Sequence, residues 1–125
     1  MAFPTDITLT DSASADVTYS QISLEGGKSI RTDASRGLGT PRSMIISHQT
    51  NGKGLTAVDK HLVRLNIVEE DTASADVAVM SGSVYLVIEA PRRIVTGAMI
   101  KDELDQLLSF ISVEANIDKI LNSEP

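Results

Sequence analysis

The sequence predicts an α+β fold: an N-terminal β-hairpin and an antiparallel meander sheet, followed by two C-terminal helices. Three observations predict it. Residues 83–91, Ser-Val-Tyr-Leu-Val-Ile-Glu-Ala-Pro, alternate as a half-buried strand does. Ile100, Leu104, Leu107, Leu108 and Ile111 recur at helical spacing, one apolar stripe opposite Lys101, Asp102, Glu103, Asp105 and Gln106. The residues before them read as strands separated by turn clusters.

Each element follows from its residues. Ile7 to Thr10 alternates as a first strand, and Asp11 to Asp16 is turn-like. Val17, Tyr19, Ile22 and Leu24 mark a second strand whose phase slips between Tyr19 and Ile22, the signature of an irregularity. Gly26-Gly27 predicts a turn, Lys28 to Asp33 a short strand, and Arg36 to Pro41 a loop. Ser43 to Asn51 reads as a strand whose facing stays open, because Met44-Ile45-Ile46 does not alternate. After a turn at Asn51-Gly52-Lys53-Gly54, Val58 to Glu69 forms a long strand. It has Val63, Leu65 and Ile67 on one face, and Lys60, Leu62, Arg64 and Asn66 on the other. Glu70 to Val77 is a loop, and Val79 to Ala90 the last strand, with Val84, Leu86 and Ile88 opposite Ser83, Tyr85, Val87 and Glu89. A second helix over about 113–122 is expected, carrying Ile117, Ile120 and Leu121 with Ser112 as its N-cap.

Composition bounds the function. A chain of 125 residues is one domain of ordinary size, and no run of eighteen apolar residues is present to span a membrane. The N-terminus has neither the basic nor the apolar region of a signal peptide, so the chain is expected to act, soluble, where it is made. The absence of cysteine excludes disulfides, thiolate metal sites and cysteine nucleophiles. With 3% aromatic residues, a broad base-stacking platform is not expected.

Net charge is −6, yet residues 26–66 alone carry seven bases against two acids, while the segments before and after are acidic. This segregation suggests a basic and an acidic side. The string Asp-(Ser/Thr)-Ala-Ser-Ala-Asp-Val occurs at 11–17 and 71–77, with no extended repeat around it, and reads as two similar turns. For an enzyme the only acid/base or metal candidates are His48, His61, Asp59, Glu69 and Glu70. The two histidines lie on separate strands without metal-motif spacing, and no phosphate loop or nucleophile elbow is present, so no catalytic residue is assigned.

In order and length, nearly the whole chain resembles the coat proteins of single-stranded RNA bacteriophages of the levivirus type. The resemblance is carried by DVTYSQ at 16–21, DKHLVRLNIVEED at 59–71, SVYLVIEAP at 83–91 and AMIKDELDQLLSFI at 98–111. It implies a single coat-protein domain over 1–125 and an intertwined homodimer with one continuous sheet, each subunit's helices reaching over its partner through Ile100, Leu104, Leu107, Leu108 and Ile111. Obligate interfaces of this kind bury on the order of 2,000–5,000 Å². It further implies an icosahedral shell in the virion, assembled in the bacterial cytoplasm, with RNA against His48, Lys60, Arg64, Asn66, Ser83 and Tyr85. The loop Glu70, Asp71, Thr72, Ala73, Ser74, Ala75, Asp76 and Val77 would meet around symmetry axes. The implied partners are the chain itself and single-stranded RNA; no membrane, cofactor or metal is implied. A dimeric RNA- or protein-binding module that forms no shell is the competing reading.

Overall fold

The computed structural model describes residues 3–37, 39–71, 78–93 and 95–125. Six strands form one sheet in sequence order: β1 (Asp6–Thr10), β2 (Asp16–Glu25), β3 (Lys28–Asp33), β4 (Arg42–Asn51), β5 (Val58–Asp71) and β6 (Ala78–Pro91). Helices α1 (Gly97–Ile111) and α2 (Glu114–Leu121) follow. The expected α+β order is therefore present. A short 3-10 turn at Gly54–Thr56 is an element the sequence reading did not anticipate. The chain divides into two compact units, residues 1–51 with 59–89 and residues 52–58 with 90–125.

The turns follow from residue chemistry. Asp11 Oδ1 accepts hydrogen bonds from Ala13 N and Ala15 N at 2.9 and 3.0 Å, which closes the first hairpin on its own side chain. Gly26 and Gly27, with φ of 57° and 78°, make the two-residue β2–β3 turn, whose twist requires positive φ at both positions. The irregularity expected in β2 lies at Ile22: the register steps from Gln21 opposite Arg31 to Ser23 opposite Ile30. The unpaired Ile22 is left exposed.

Alternation, carried across the ladders, gives the sheet two faces. One holds the core, with Tyr19, Met44 and Ile46 buried and Ile7, Val17, Val63 and Leu65 packed against them. Arg31 lies opposite Met44 and Ser29 opposite Ile46, so both share this face and both are buried. Arg31 is only 1% exposed. Its guanidinium donates to Thr5 O at 3.2 Å, Pro4 O at 2.8 Å, Ser29 Oγ at 2.6 Å and Gln21 Oε1 at 3.4 Å. Burial raises the pKa of the Tyr19 hydroxyl, Asp33 adds to that, and Arg42 works against it. Hydrogen bonds from Ser35 Oγ and Ser35 N hold the Asp33 carboxyl below the usual carboxylate range. Glu69 Oε1 accepts from Arg36 Nη2 at 2.6 Å and from Arg42 Nη2 at 3.1 Å, and these bonds, Arg42's first, lower its pKa.

The helical unit corrects the cap assignment. Thr96 caps α1, its Oγ1 accepting from Met99 N at 3.3 Å. Ser112 is the C-cap of α1, with its hydroxyl donating back to Ser109 O at 2.8 Å, and the N-cap of α2 is Val113. Asn116 Nδ2 donates to Phe110 O at 2.8 Å and ties the two helices together. Neither helix contains a buried residue. On α1 Ile100 and Leu104 are half-buried, while Leu107, Leu108 and Ile111 are exposed. Among the described residues, no helix is long and apolar enough to cross a membrane.

Candidate nucleic-acid interface

The second sheet face carries a polar cluster at its β5–β6 end. A 14-residue strand places Lys60, Arg64 and Asn66 on one row because they are an even number of residues apart. Across the ladder, Arg64 Nη2 meets Ser83 Oγ at 3.4 Å, and its guanidinium carbon lies 5.9 Å from the centre of the Tyr85 ring. Arg64 Nε donates to Asn66 Oδ1 at 2.6 Å, and Asn66 Nδ2 donates to Ser43 Oγ at 3.4 Å. The result is a polar strip from β4 to β6. Ser43, Arg64, Asn66, Val68, Ser81, Gly82 and Ser83 line an open depression of about 380 Å³ beside it.

The electrostatics are less one-sided than the linear charge pattern suggests. Lys60 Nζ lies 3.7 Å from Glu89 Oε1, an exposed ion pair of the kind worth little in water. Arg64 hydrogen-bonds neutral acceptors, and among the described residues it has no ion pair. Of the seven bases in residues 26–66, Arg31 lies buried on the core face and Arg36 and Arg42 clamp Glu69. The segregation along the chain is therefore not a segregation between faces, because alternation sends neighbouring bases to opposite sides.

Tyr85 is 62% exposed and its ring is held beside a cation, a geometry able to stack an unpaired base. Arg64 and Lys60 can meet phosphates, and Asn66, Ser43 and Ser83 can donate to phosphate or sugar oxygens.

The structure brings five of the six residues assigned to this surface onto one face: Lys60, Arg64, Asn66, Ser83 and Tyr85. His48 is not among them. Its Nδ1 lies 2.9 Å from His61 Nδ1 across β4 and β5, on the same face as Met44, Ile46, Val63 and Leu65. That settles the open facing of β4: Met44 and Ile46 face the core, and Ile45 points the other way, where it is half-buried. Ser43, the partner of Asn66, was missed because its facing depended on that ladder. Of the predicted assembly loop, Glu70 and Asp71 are the last residues of β5, and residues 72–77 lie outside the described residues. Among the described residues no group of three or more His, Cys, Asp or Glu side chains is placed to hold a metal ion.

No family model matches the sequence, and no curated protein matches it. Solved structures do. The subunit of the virus-like particle of bacteriophage NT-214 superposes with a TM-score of 0.75 at 15% identity, covering 99% of this chain and 98% of that one. The subunit from bacteriophage ESE058 gives 0.77 at 13% identity, again over 99% and 98%. The capsid protein of bacteriophage GA gives 0.64 at 11% identity over 95% and 93%. The fold of this chain is that of the levivirus-type phage coat proteins, as the sequence resemblance implied.

Proposed function

We propose that this chain is the coat protein of a single-stranded RNA bacteriophage, which dimerises, builds an icosahedral shell and packages RNA against its polar sheet face. The observation that carries the reading is the match, over nearly the full length of both chains, to subunits of phage virus-like particles. In this reading residues 1–125 act as one coat-protein domain, found in the virion and assembled in the bacterial cytoplasm.

Two features support the dimer. β6 is a 14-residue strand at the edge of the sheet, and an edge of that length invites pairing with a second copy. Apolar side chains are also left uncovered, Val84 at 70% exposure on β6 and Leu107, Leu108, Ile117 and Ile120 on the helices. A second copy that extends the sheet through β6 and lays its helices on the core face would cover both sets. RNA then lies on the opposite face, along Lys60, Arg64, Asn66, Ser83 and Tyr85. Leu62 and Val87 interrupt that strip, which favours general packaging through phosphates and stacking over readout of one hairpin sequence.

The test is the size and content of the purified protein. Electron microscopy should show closed shells, and mass measurement a megadalton particle that contains RNA. A stable species of roughly twice 13.4 kDa that never forms shells would replace this reading with that of a dimeric binding module.

A further inference from the structure

We propose that His48 and His61 form a chelating pair for a borderline divalent cation, Zn²⁺, Ni²⁺ or Cu²⁺, bound through both Nδ1 atoms. Along the chain the two histidines have no metal-motif spacing, and it is strand pairing that brings them together. The cross-strand neighbours Ser43–Asn66 and Thr50–Asp59, with His48–His61 between them, run in a single antiparallel register. Both imidazoles therefore rise from the same side of a paired backbone, and β-ladder geometry holds their Cβ atoms about 5 Å apart. The rings meet nearly edge to face, with centroids 5.1 Å apart and planes at 69°, and the Nδ1 atoms converge to 2.9 Å.

As it stands the contact is a hydrogen bond, and a cation would enter by displacing its single proton. A neutral bond needs one ring with Nδ1–H and the other with a bare Nδ1, and at a solvent-exposed site it contributes about 1 kcal/mol or less. Once that proton is displaced, both Nδ1 atoms are bare and can serve as two corners of a coordination shell. With Zn–N bonds of about 2.0–2.1 Å in tetrahedral geometry, the two nitrogens stand about 3.3 Å apart. Side-chain rotations that open the pair by about 0.4 Å and turn both lone pairs toward one shared point would admit the ion. Imidazole nitrogen selects Zn²⁺, Ni²⁺ and Cu²⁺ over Mg²⁺ and Ca²⁺, which prefer oxygen.

The surroundings set the character of the site. The described residues bring no third His, Cys, Asp or Glu into ligand range, so a bound ion keeps positions for water. Asp59, two residues from His61 on the same face, adds a negative charge, and its Oδ1 accepts from Thr50 Oγ1 at 2.8 Å. Arg31 opposes it: together with Gln21, Ser29 and Ile46 it lines a cavity of about 230 Å³ that reaches His48. The site follows from one chain's geometry and lies on the face that the proposed dimer would cover, so metal binding is measured on dissociated protein as well as on the assembly.

The experiment is metal retention by the purified protein, in its native assembly and dissociated. Samples equilibrated with Zn²⁺, Ni²⁺ or Mg²⁺ are dialysed, and metal per chain is measured by plasma mass spectrometry, alongside His48→Gln, His61→Gln and a calorimetric titration. The proposal expects about one Zn²⁺ or Ni²⁺ per chain and no Mg²⁺. Each variant should bind at least about tenfold more weakly, with unchanged circular dichroism. Nitrogen NMR of the histidines should show the shift on Nδ1 and not on Nε2. Failure to retain Zn²⁺ and Ni²⁺, retention unchanged in both variants, or a shift confined to Nε2 would each overturn it.

Discussion

The sharpest consequence of the proposed RNA surface concerns how Arg64 and Lys60 would share the work of holding RNA. Each phosphate contact to a single strand contributes about 0.7 to the slope of log affinity against log salt. Arg64 faces only neutral partners and brings its whole charge, so Arg64→Ala should lower the slope by about 0.7. Lys60 already faces Glu89 at 3.7 Å, and its removal would leave that carboxylate unpaired on the proposed RNA surface. Lys60→Ala should therefore lower the slope by less than Arg64→Ala, and Glu89→Gln should strengthen binding. If both cations contributed fully, the double variant would lose about 1.4 in slope. Between 50 and 200 mM salt that amounts to about a sevenfold difference in salt sensitivity from the parent. Fluorescence anisotropy of several unrelated single-stranded RNAs against dissociated protein measures the slopes, and the 260/280 nm ratio of purified particles measures packaged RNA. An unchanged slope in Arg64→Ala, or a loss confined to one RNA sequence, would refute the assignment of this face as a general phosphate surface.

Leu107→Asp puts a charge on an uncovered apolar stripe and should abolish the soluble dimer; size-exclusion chromatography showing a well-folded monomer would count against the helix-covered interface. Thr96→Ala removes the α1 cap and should cost about 1 kcal/mol in a denaturant titration. The lowered pKa of Glu69 sets a pH dependence. The stability from the Arg36–Glu69–Arg42 clamp is fully present above the unfolded carboxyl value of about 4.3 and is lost as pH falls through the lowered folded value. Acid unfolding of Glu69→Gln should accordingly be less steep than that of the parent. Replacing Ala73-Ser74-Ala75 with bulky charged residues should leave folded dimers and alter particle formation, as electron microscopy would show.

Where a strand's side chains alternate, the sequence was enough to define its faces. Val63 and Leu65 could be set against the core, and Lys60, Arg64 and Asn66 on the other side, from β5 alone. Where three apolar residues run together, as at Met44-Ile45-Ile46, facing depends on the neighbouring strand's register, which no local pattern contains. That is why His48 was grouped with the wrong face and Ser43 was overlooked. The Ser112 cap failed for a different reason. A serine between two helices can end one or start the other, and here its hydroxyl turns back to Ser109 O. The run of basic residues misled because position along a strand says nothing of side: Arg31 and Arg64 belong to one cluster in sequence and to opposite faces in space.

The Arg31 fork bears on how the sheet comes apart. β1 is a five-residue strand at the sheet edge and ordinarily would be the first to fray. Arg31 reaches from β3 past β2 to the carbonyls of Pro4 and Thr5, just ahead of β1, and Gln21 N also donates to Thr5 O. Releasing that segment alone would strip a buried guanidinium of two of its acceptors, so local opening of β1 carries the cost of disturbing the core. The edge strand and the centre of the sheet thus behave as one cooperative unit. The amides of Asp6–Thr10 that bond to β2 should exchange with solvent at rates close to those of β3, far more slowly than an ordinary terminal strand.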